Sequence, residues 1–532
     1  MADSHHTNLG IDEYNKNFGN LPTHEEYRNN IHRWKFLMRS YLGGAQYKMG
    51  RYLTRYVYET EGEYLNRLAQ TPLPNHVKQV IHIHNSFLFR QTPRRETGNL
   101  EGTTELEQFI KDCDMEGRDF DSFMRDVNIM SSIYGSAWIL VDRPETVVGT
   151  RAEELAQGIR PYVNLYTPET VIDWNFSRRS NGSYELDMVK FLETDDSTYG
   201  SAPNYHIRTW TNETIRLEKY SPYEKNPFAF VEEKPNTLGK VPVVICYANR
   251  SPIKGVGVSD VGDIADAQNF LFGLNSEAEQ LIRLTNHPTV VRTPDVDLSA
   301  GAGAIITMPN ETDPGLKPYL LQPNGQNLDA ILKTIEATID EINRMGHLGA
   351  IRATESRQLS GVSRQSEFLM LDSKLCEKAR NLELAEEQIW RLFSQWQGEA
   401  WTGEVNYPMA FHVRDKSMDM DLLEKASRIQ RDSASATPQV KKLIDKKMSE
   451  LLLSESEMEK YDFDQEMSHP TTTPANRSAH IQEMIMEGLT DQQILQLHPE
   501  INQADIDTAK RQLLESNNES SNPQAPTNIS EG

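Results

Sequence analysis

The sequence predicts an α+β protein, mainly helical, with a mixed β region, and three observations carry that reading. Apolar residues recur at helical spacing from residue 23 to about residue 90, and again over 104–134. Between residues 160 and 248 the text turns to short β-like runs separated by Asn, Gly, Pro and Ser clusters. From Ser259 onward, long amphipathic helices bracket short β signals and one long polar loop.

The elements follow in order. THEE, from Thr23 to Glu26, fits a capping box, and Trp34, Leu37, Met38 and Tyr41 then lie on one helical stripe. YLGGAQYKMG breaks this segment. Tyr64, Leu65 and Leu68 precede a second helix through Val77, Val80, Ile81, Phe87 and Leu88. Residues 104–134 give two more amphipathic helices, stopped by Gly135. SAWILVDRP is a continuous apolar run closed by Pro144 and predicts a buried strand. RPYVNLY, TVIDW, MVKFLE, YHIRTWT, TIRLEKY and VPVVICYA predict the strands of the β region.

At Ser259 the period changes. Val261, Ile264, Leu271, Leu274, Ala278, Leu281 and Ile282 share a stripe of a helix capped by Ser259, ~28 residues or ~42 Å long. PTVVRTP, GAIITMP and KPYLLQP follow as short β signals. A second helix carries Leu328, Ile331, Leu332, Ile335, Ile339 and Ile342 and stops at Gly346. GHLGAIRATESRQLSGVSRQSEF has almost no apolar periodicity and is far longer than most helix–helix links. With Ser363 as N-cap, a third helix of ~33 residues or ~50 Å runs through Phe368, Leu371, Leu375, Leu382, Ala385, Ile389, Leu392 and Trp396. MAFHVR predicts a short strand, EMSHPTTTPANRSAH a linker, and residues 481–514 a helical pair. The final ESNNESSNPQAPTNISEG is too polar to fold alone.

The chain has 532 residues, beyond the size at which one core stops growing, so two to four domains are expected. No window approaches eighteen apolar residues, which excludes a spanning helix, and the first twenty residues lack the basic-then-apolar order of a signal peptide. Cys113, Cys246 and Cys376 lie far apart, and read as buried small hydrophobes in a reducing compartment rather than a disulfide frame or zinc site. The formal net charge of −23 argues against broad, tight binding of nucleic acid, whose affinity comes from neutralised phosphates. Contact with DNA without retention remains compatible with it.

Catalytic motifs find no support. His82 and His84 are two apart on a helix and point to different faces, so with His76 they read as a polar helix face rather than metal ligands. GVGVSD, residues 255–260, lacks both GxGxxG and a Walker lysine and reads as a flexible lead into the long helix; GAGA at 301–304 reads as a turn. No GxSxG, HExxH or kinase set occurs, and no cofactor is implied. EGLTDQQILQLHPEINQADIDTAKRQLLE faintly resembles small helix-turn-helix modules, but its acidic charge favours a packing role.

Three long helices could form an ordinary bundle, yet that leaves the order helix, small β insert, helix, long loop, longer helix unexplained. That order resembles the portal proteins of tailed double-stranded-DNA bacteriophages. YLGGAQY, YLNRL and IHNSFLFRQTP resemble the N-terminal signature of one portal subfamily. YGSAWILVDRPE, RPYVNLYTPETVIDW, LGKVPVVICYANRSP, GVSDVGDIADAQNFLFGLNSE and SGVSRQSEFLMLDSKL add to the resemblance, which covers roughly residues 30 to 425.

The resemblance implies a portal fold. Residues 1–255 would form the wing body and 256–286 the first stem helix, with the clip at 287–326 and the second stem helix at 327–345. Residues 346–363 would be the tunnel loop, 364–425 the long wing helix and its strand, 426–512 the crown, and 513–532 a disordered tail. It further implies a homo-oligomeric ring, usually of twelve, at one capsid vertex of the virion, assembled in the host cytoplasm. Its partners would be double-stranded DNA in the channel, terminase, major capsid protein, scaffold, and head-completion adaptor or tail proteins, with no membrane. Val261, Ile264, Leu271, Leu274, Ile335 and Ile339 would then be stem residues. Arg352, Arg357, Gln358, Ser360 and Arg364 are the candidate DNA contacts of the loop, and pairing of the arginines with acidic neighbours in the ring is their other reading. Another virion structural protein, adaptor or scaffold, is the runner-up function, and a nucleic-acid-processing enzyme the third.

Overall fold

The strand at Ser136–Asp142 is buried on both faces, and much of the fold is arranged around it. The structure is a computed structural model that describes residues 21–144, 153–154, 157–195, 204–221, 224, 226–286, 289–291, 319–321, 326–348, 361–409 and 411, with scattered positions over 481–511. The chain divides into two units, Met1–His412 and Val413–Gly532.

In the first unit, α1 (Glu25–Leu42), α2 (Gly44–Met49), α3 (Glu61–Gln70) and α4 (His76–Leu88) come first. After β1 (Arg94–Glu96) come α5 (Thr104–Lys111) and α6 (Phe120–Tyr134). Gly135 ends α6 at φ 90°, a left-handed stop that suits glycine, and β2 (Ser136–Asp142) starts at once. Strand β2 lies between β3 (Tyr162–Tyr166) and β9 (Val243–Tyr247), antiparallel to both. Its side chains alternate between two cores. Trp138 and Leu140 join Trp34, Val80 and Ile264, while Ala137, Ile139 and Val141 join Phe109, Phe120 and Trp390. A strand buried on both faces reads as a continuous apolar run, which is why SAWILV shows no alternation.

The β region is a meander of β4 (Val171–Arg178), β5 (Tyr184–Asp195), β6 (Asn204–Thr211), β7 (Thr214–Tyr220) and β8 (Phe228–Pro235), all antiparallel neighbours. Strand β8 has no counterpart in the sequence reading. It is exposed along nearly its whole length, so the half-buried alternation that marks a strand is missing.

The hairpin of β10 (Asn249–Arg250) and β11 (Gly257–Val258) leads to α7 (Gly262–Asn286). The antiparallel pair β12 (Thr289–Val291) and β13 (Tyr319–Leu321) separates α7 from α8 (Gln326–Met345). Helix α9 (Gly361–Trp396) follows, then β14 (Glu404–Asn406), which pairs with β1. The architecture is α+β, as the sequence predicts. Among the described residues no helix is long and apolar enough to cross a membrane.

Several local expectations are corrected. Thr23 does not cap α1: His24 is the N-cap, its Nδ1 accepting from the Glu26 N–H at 3.1 Å. Its own N–H donates to the Ile172 carbonyl and its ring stacks on Trp174 at 4.2 Å, so contacts with β4 set where the helix starts. The reciprocal capping box occurs instead at Thr60 and Glu63, and gives Tyr64 and Leu68 a helix of their own. Ser363 lies inside α9, which starts at Gly361. The strand expected at MAFHVR lies mostly outside the described residues; a short strand at Glu404–Asn406, ahead of it, pairs with β1.

In the second unit, Ile481, Ile506 and Ala509 are buried and Lys510 pairs with Asp491 at 2.6 Å. The expected crown and linker lie almost wholly outside the described residues.

Candidate functional site: a helical hairpin and the segment it feeds

Helix α7 is fastened to the body along its first half. Ser259 Oγ accepts from the Val261 N–H at 3.1 Å and donates to the Ser132 carbonyl, but this is a turn ahead of the helix and not the expected cap: the first helical bond runs from the Ala265 N–H to the Val261 carbonyl, and regular helix begins at Gly262. The preceding GVGVSD is not a flexible lead. Gly257 packs its backbone on Gly135, where a Cβ would lie 2.0 Å from the Gly135 oxygen. Asp260 is buried and ion-paired with Lys378 and with Lys374, the latter at 3.0 Å. Burial alone would raise its carboxyl, but the two ammonium groups hold it well below the usual carboxylate range.

About two helical turns on, fully buried Gln268 bridges three backbone groups. Its Oε1 accepts from the N–H groups of His76 and Val77, at 2.8 and 3.0 Å, and its Nε2 donates to the Ser40 carbonyl. It therefore supplies the first-turn acceptor that the start of α4 needs, and joins α7 to α1 as well. Arg67 then ties α7 to the loop before α3, donating to Ser276 Oγ at 3.0 Å and pairing with Glu59 at 2.6 Å.

Of the expected stem residues, Val261, Ile264 and Leu271 are core side chains of this chain's own body, and Leu274 is half-buried. Ile335 and Ile339 of α8 are half-buried against the same core. The stripe read as one seam is thus absorbed at its base by α1 and α4. Towards the far end of α7, Ile282 and Leu284 are exposed, as is Leu332 near the start of α8. The two helices carry Asp263, Asp266, Glu277, Glu279, Asp329, Glu336, Asp340 and Glu341 against Arg283, Lys333 and Arg344. The hairpin is acidic.

The end of α8 is built with equal care. The Leu348 N–H donates to the Asn343 carbonyl and the His347 N–H to the Arg344 carbonyl, a Schellman stop. His347 holds the left-handed position at φ 54°, one residue beyond the Gly346 that the sequence suggests as the stop. Leu348 and Ile342 are both fully buried, which supplies the apolar contact of this motif. His84 Nε2 lies 2.8 Å from the Gly346 carbonyl and must donate to it, since a carbonyl oxygen only accepts. Burial and the nearby Lys378 push the His84 imidazole down to about 4, so it is neutral at pH 7. His84 and His76 are therefore buried, not on a polar face; only His82 fits that description, its Nε2 3.3 Å from Tyr41 Oη.

Arg352, Arg357, Gln358 and Ser360 lie outside the described residues. Arg364 sits in the first turn of α9, and its side chain also lies outside them. Further along α9, Leu371, Leu375, Leu382, Ala385, Ile389 and Leu392 are buried as their spacing predicts. Phe109 packs on Trp390 and Phe393 with centroids at 5.4 and 4.8 Å, and Phe120 on Trp390 at 5.0 Å. Each such ring contributes about 1.5–3 kcal/mol by burial.

Lys378 and Glu386 are buried on this same stripe. Glu386 accepts from Arg95, from Trp390 Nε1 at 3.1 Å and from Tyr407 Oη at 2.7 Å. Both ionic groups were legible in principle, as charged residues at apolar positions of a helical repeat. Cys113 and Cys246 are buried as expected, whereas Cys376 is half-buried and donates to the Met409 carbonyl.

No protein-family model matches the chain, and no curated protein matches it. Solved structures give a distant likeness. A chain in the neck of an empty gene transfer agent (GTA) particle, computed with C6 symmetry, aligns at a TM-score of 0.40 and 10% identity, over 76% of this chain and 99% of that one. A chain in the virion of a native GTA particle aligns at 0.36 and 8%, over 77% and 99%. Likeness at this level leaves the function to be argued from the chain's own residues.

Proposed function

We propose that the chain is the portal subunit of a tailed bacteriophage: a ring at one capsid vertex through which DNA is packaged and ejected, and on which terminase and adaptor or tail proteins dock. One observation carries the reading. A 25-residue helix leaves an α+β body, an antiparallel β pair separates it from a 20-residue helix, and a 36-residue helix then runs back through the core. This is the element order that the portal resemblance implies.

The physical task is a conduit, and no catalytic step is assigned. Strong phosphate binding would brake moving DNA, because each neutralised phosphate adds affinity. An acidic hairpin repeated around an axis gives a wall over which a duplex slides. The 349–360 segment, with Arg352 and Arg357, supplies the few adjustable contacts, and Arg364 follows at the start of α9. A heterologous contact that closes produces a cyclic assembly with a central hole, which suits such a passage.

Antibody labelling of particles tests the placement. Label confined to one vertex, where genomes enter, agrees with the reading. Label spread over the shell, or absent from it, contradicts it.

A further inference from the structure

The chain carries a basic cleft that the conduit does not use. It lies between β9, the start of β5 and α9, with a volume of about 490 Å³, and is floored by Phe176, Leu186, Val243, Ile245 and Leu392. Lys240, Arg250 and Lys254 line it, and Arg178 reaches the same rim through the Tyr184 ring. None of these four cations forms an ion pair among the described residues. Arg391 and Glu185 also line the cleft, and each is paired, with Glu387 at 2.7 Å and with Arg179 at 2.7 Å.

The loop that presents Lys254 is built rather than slack. Trp174 Nε1 donates to the Lys254 carbonyl at 3.1 Å, and the Gly255 N–H donates to Tyr247 Oη at 3.1 Å. Gly255 has φ 83°, and a Cβ there would meet Trp174 Nε1 at 2.6 Å, so only glycine fits. Lys254 is held over the Tyr184 ring with Arg178 on the same ring, two like charges of which neither forms an ion pair among the described residues. Burial depresses Lys240, with Glu185 opposing it in part, and Arg178 adds to the depression of Lys254. In a chain of net charge −23, a cleft with four cations that form no ion pair among the described residues and a single lining carboxylate, Glu185, calls for an anion.

Backbone geometry says which kind. Among the described residues β9 is the edge of its sheet. The Ala248 N–H donates to the Gly135 carbonyl and the Val141 N–H to the Pro242 carbonyl, so the even-numbered residues face β2. Ile245 and Tyr247 therefore turn their N–H and C=O groups to the cleft side. An extended peptide can add there as a strand, its alternate side chains meeting the basic rim. Nucleic acid fits less well: the stacking faces of Tyr184 and Tyr247 are already taken by Lys254 and Arg250. We propose that the β9 edge is a docking site for an extended, acidic polypeptide segment of a partner protein, held by strand addition and by Lys240, Arg250, Lys254 and Arg178. The site stands independently of the portal reading.

The test is fluorescence anisotropy of the full chain with a blocked, labelled heptapeptide of alternating Glu and Val. Binding on the order of 10 μM is expected, weakened at least about tenfold by Arg250→Glu with Lys254→Glu, by Lys254→Gln less so, and by raised salt. N-methylation of one central peptide bond of the probe should weaken binding to the unaltered protein at least about tenfold, a result that depends on no variant. Equal binding of a Lys–Val heptapeptide, indifference to N-methylation, displacement by millimolar inorganic phosphate, or tighter binding of oligothymidylate at the same residues would each overturn the proposal.

Discussion

Asp260 and Lys378 meet as a buried ion pair, one from the turn before α7 and the other from the middle of α9, 118 residues later. Ser132 of α6 accepts from the same ammonium group at 2.6 Å. The root of the hairpin, the long helix and α6 are thus joined at a single point. Replacing Lys378 with Met leaves a buried carboxylate with only Lys374 to oppose it. A loss of about 3–5 kcal/mol is expected, read as a lower urea midpoint, and Asp260→Asn in the same chain should restore part of it. Equal midpoints for Lys378→Met and the unaltered chain would refute the assignment.

His84 makes stability depend on mild acid. Its folded value, about 4, lies below the ordinary 6.5, so the fold prefers the neutral ring. The sign follows: the contribution is complete above pH 6.5 and is lost as pH falls towards 4, at up to about 1.4 kcal/mol per pH unit. His84→Gln keeps a donor for the Gly346 carbonyl but does not titrate. Its unfolding free energy should therefore be flatter than that of the unaltered chain between pH 6.5 and 4. Parallel curves would show that His84 does not carry the dependence.

His347 holds a left-handed conformation that costs a non-glycine residue roughly 1 kcal/mol. His347→Gly should raise stability by a few tenths to about 1 kcal/mol, because the added chain freedom of glycine offsets part of the gain. A lower thermal midpoint would mean that the imidazole makes a contact worth more than the strain.

Gln268 serves two amide donors at the start of α4 and one carbonyl of α1. Gln268→Leu keeps the bulk and removes all three bonds, for a loss of about 2–4 kcal/mol. Hydrogen exchange should quicken at His76 and Val77 before the rest of α4. Unchanged protection there would contradict the bridging role.

Thiol chemistry reads the packing. Burial pushes the Cys113 and Cys246 thiols up to about 12, and leaves them without thiolate at pH 8. Half-buried Cys376 is expected to react first with an aromatic disulfide reagent, the other two only as the protein unfolds. Rapid modification of Cys246 would place the sheet edge differently.

Much of this fold was legible because its long elements are strongly periodic. The helix stripes of α7, α8 and α9 and the strand runs that become β4 to β7 follow from spacing alone, whereas the antiparallel order of those strands does not. What escaped was set by contacts between distant segments. His24 became a cap because Trp174 and Ile172 hold it. Gln268, an amide on a helix face, gives no local sign that two N–H groups 192 and 191 residues away need it. Gly346 was a sound choice of stop, yet the chain turns one residue later, at His347, with Leu348 buried beyond it. For the candidate site, the hairpin was foreseen while its attachment was not: three of the residues read as stem, Val261, Ile264 and Leu271, pack into the chain's own body.

Shortening the 353–361 stretch tests the role given to the segment between α8 and α9. Rings should persist while packaging or retention of DNA falls, and Arg357→Glu should have a milder effect of the same kind. Normally filled heads from the shortened variant would remove that role.

Electron microscopy of the purified full chain addresses the central claim most directly. Class averages should show closed rings with an axial hole and the acidic helical hairpins clustered on one side of the ring. Compact single particles under every assembly condition would contradict the account.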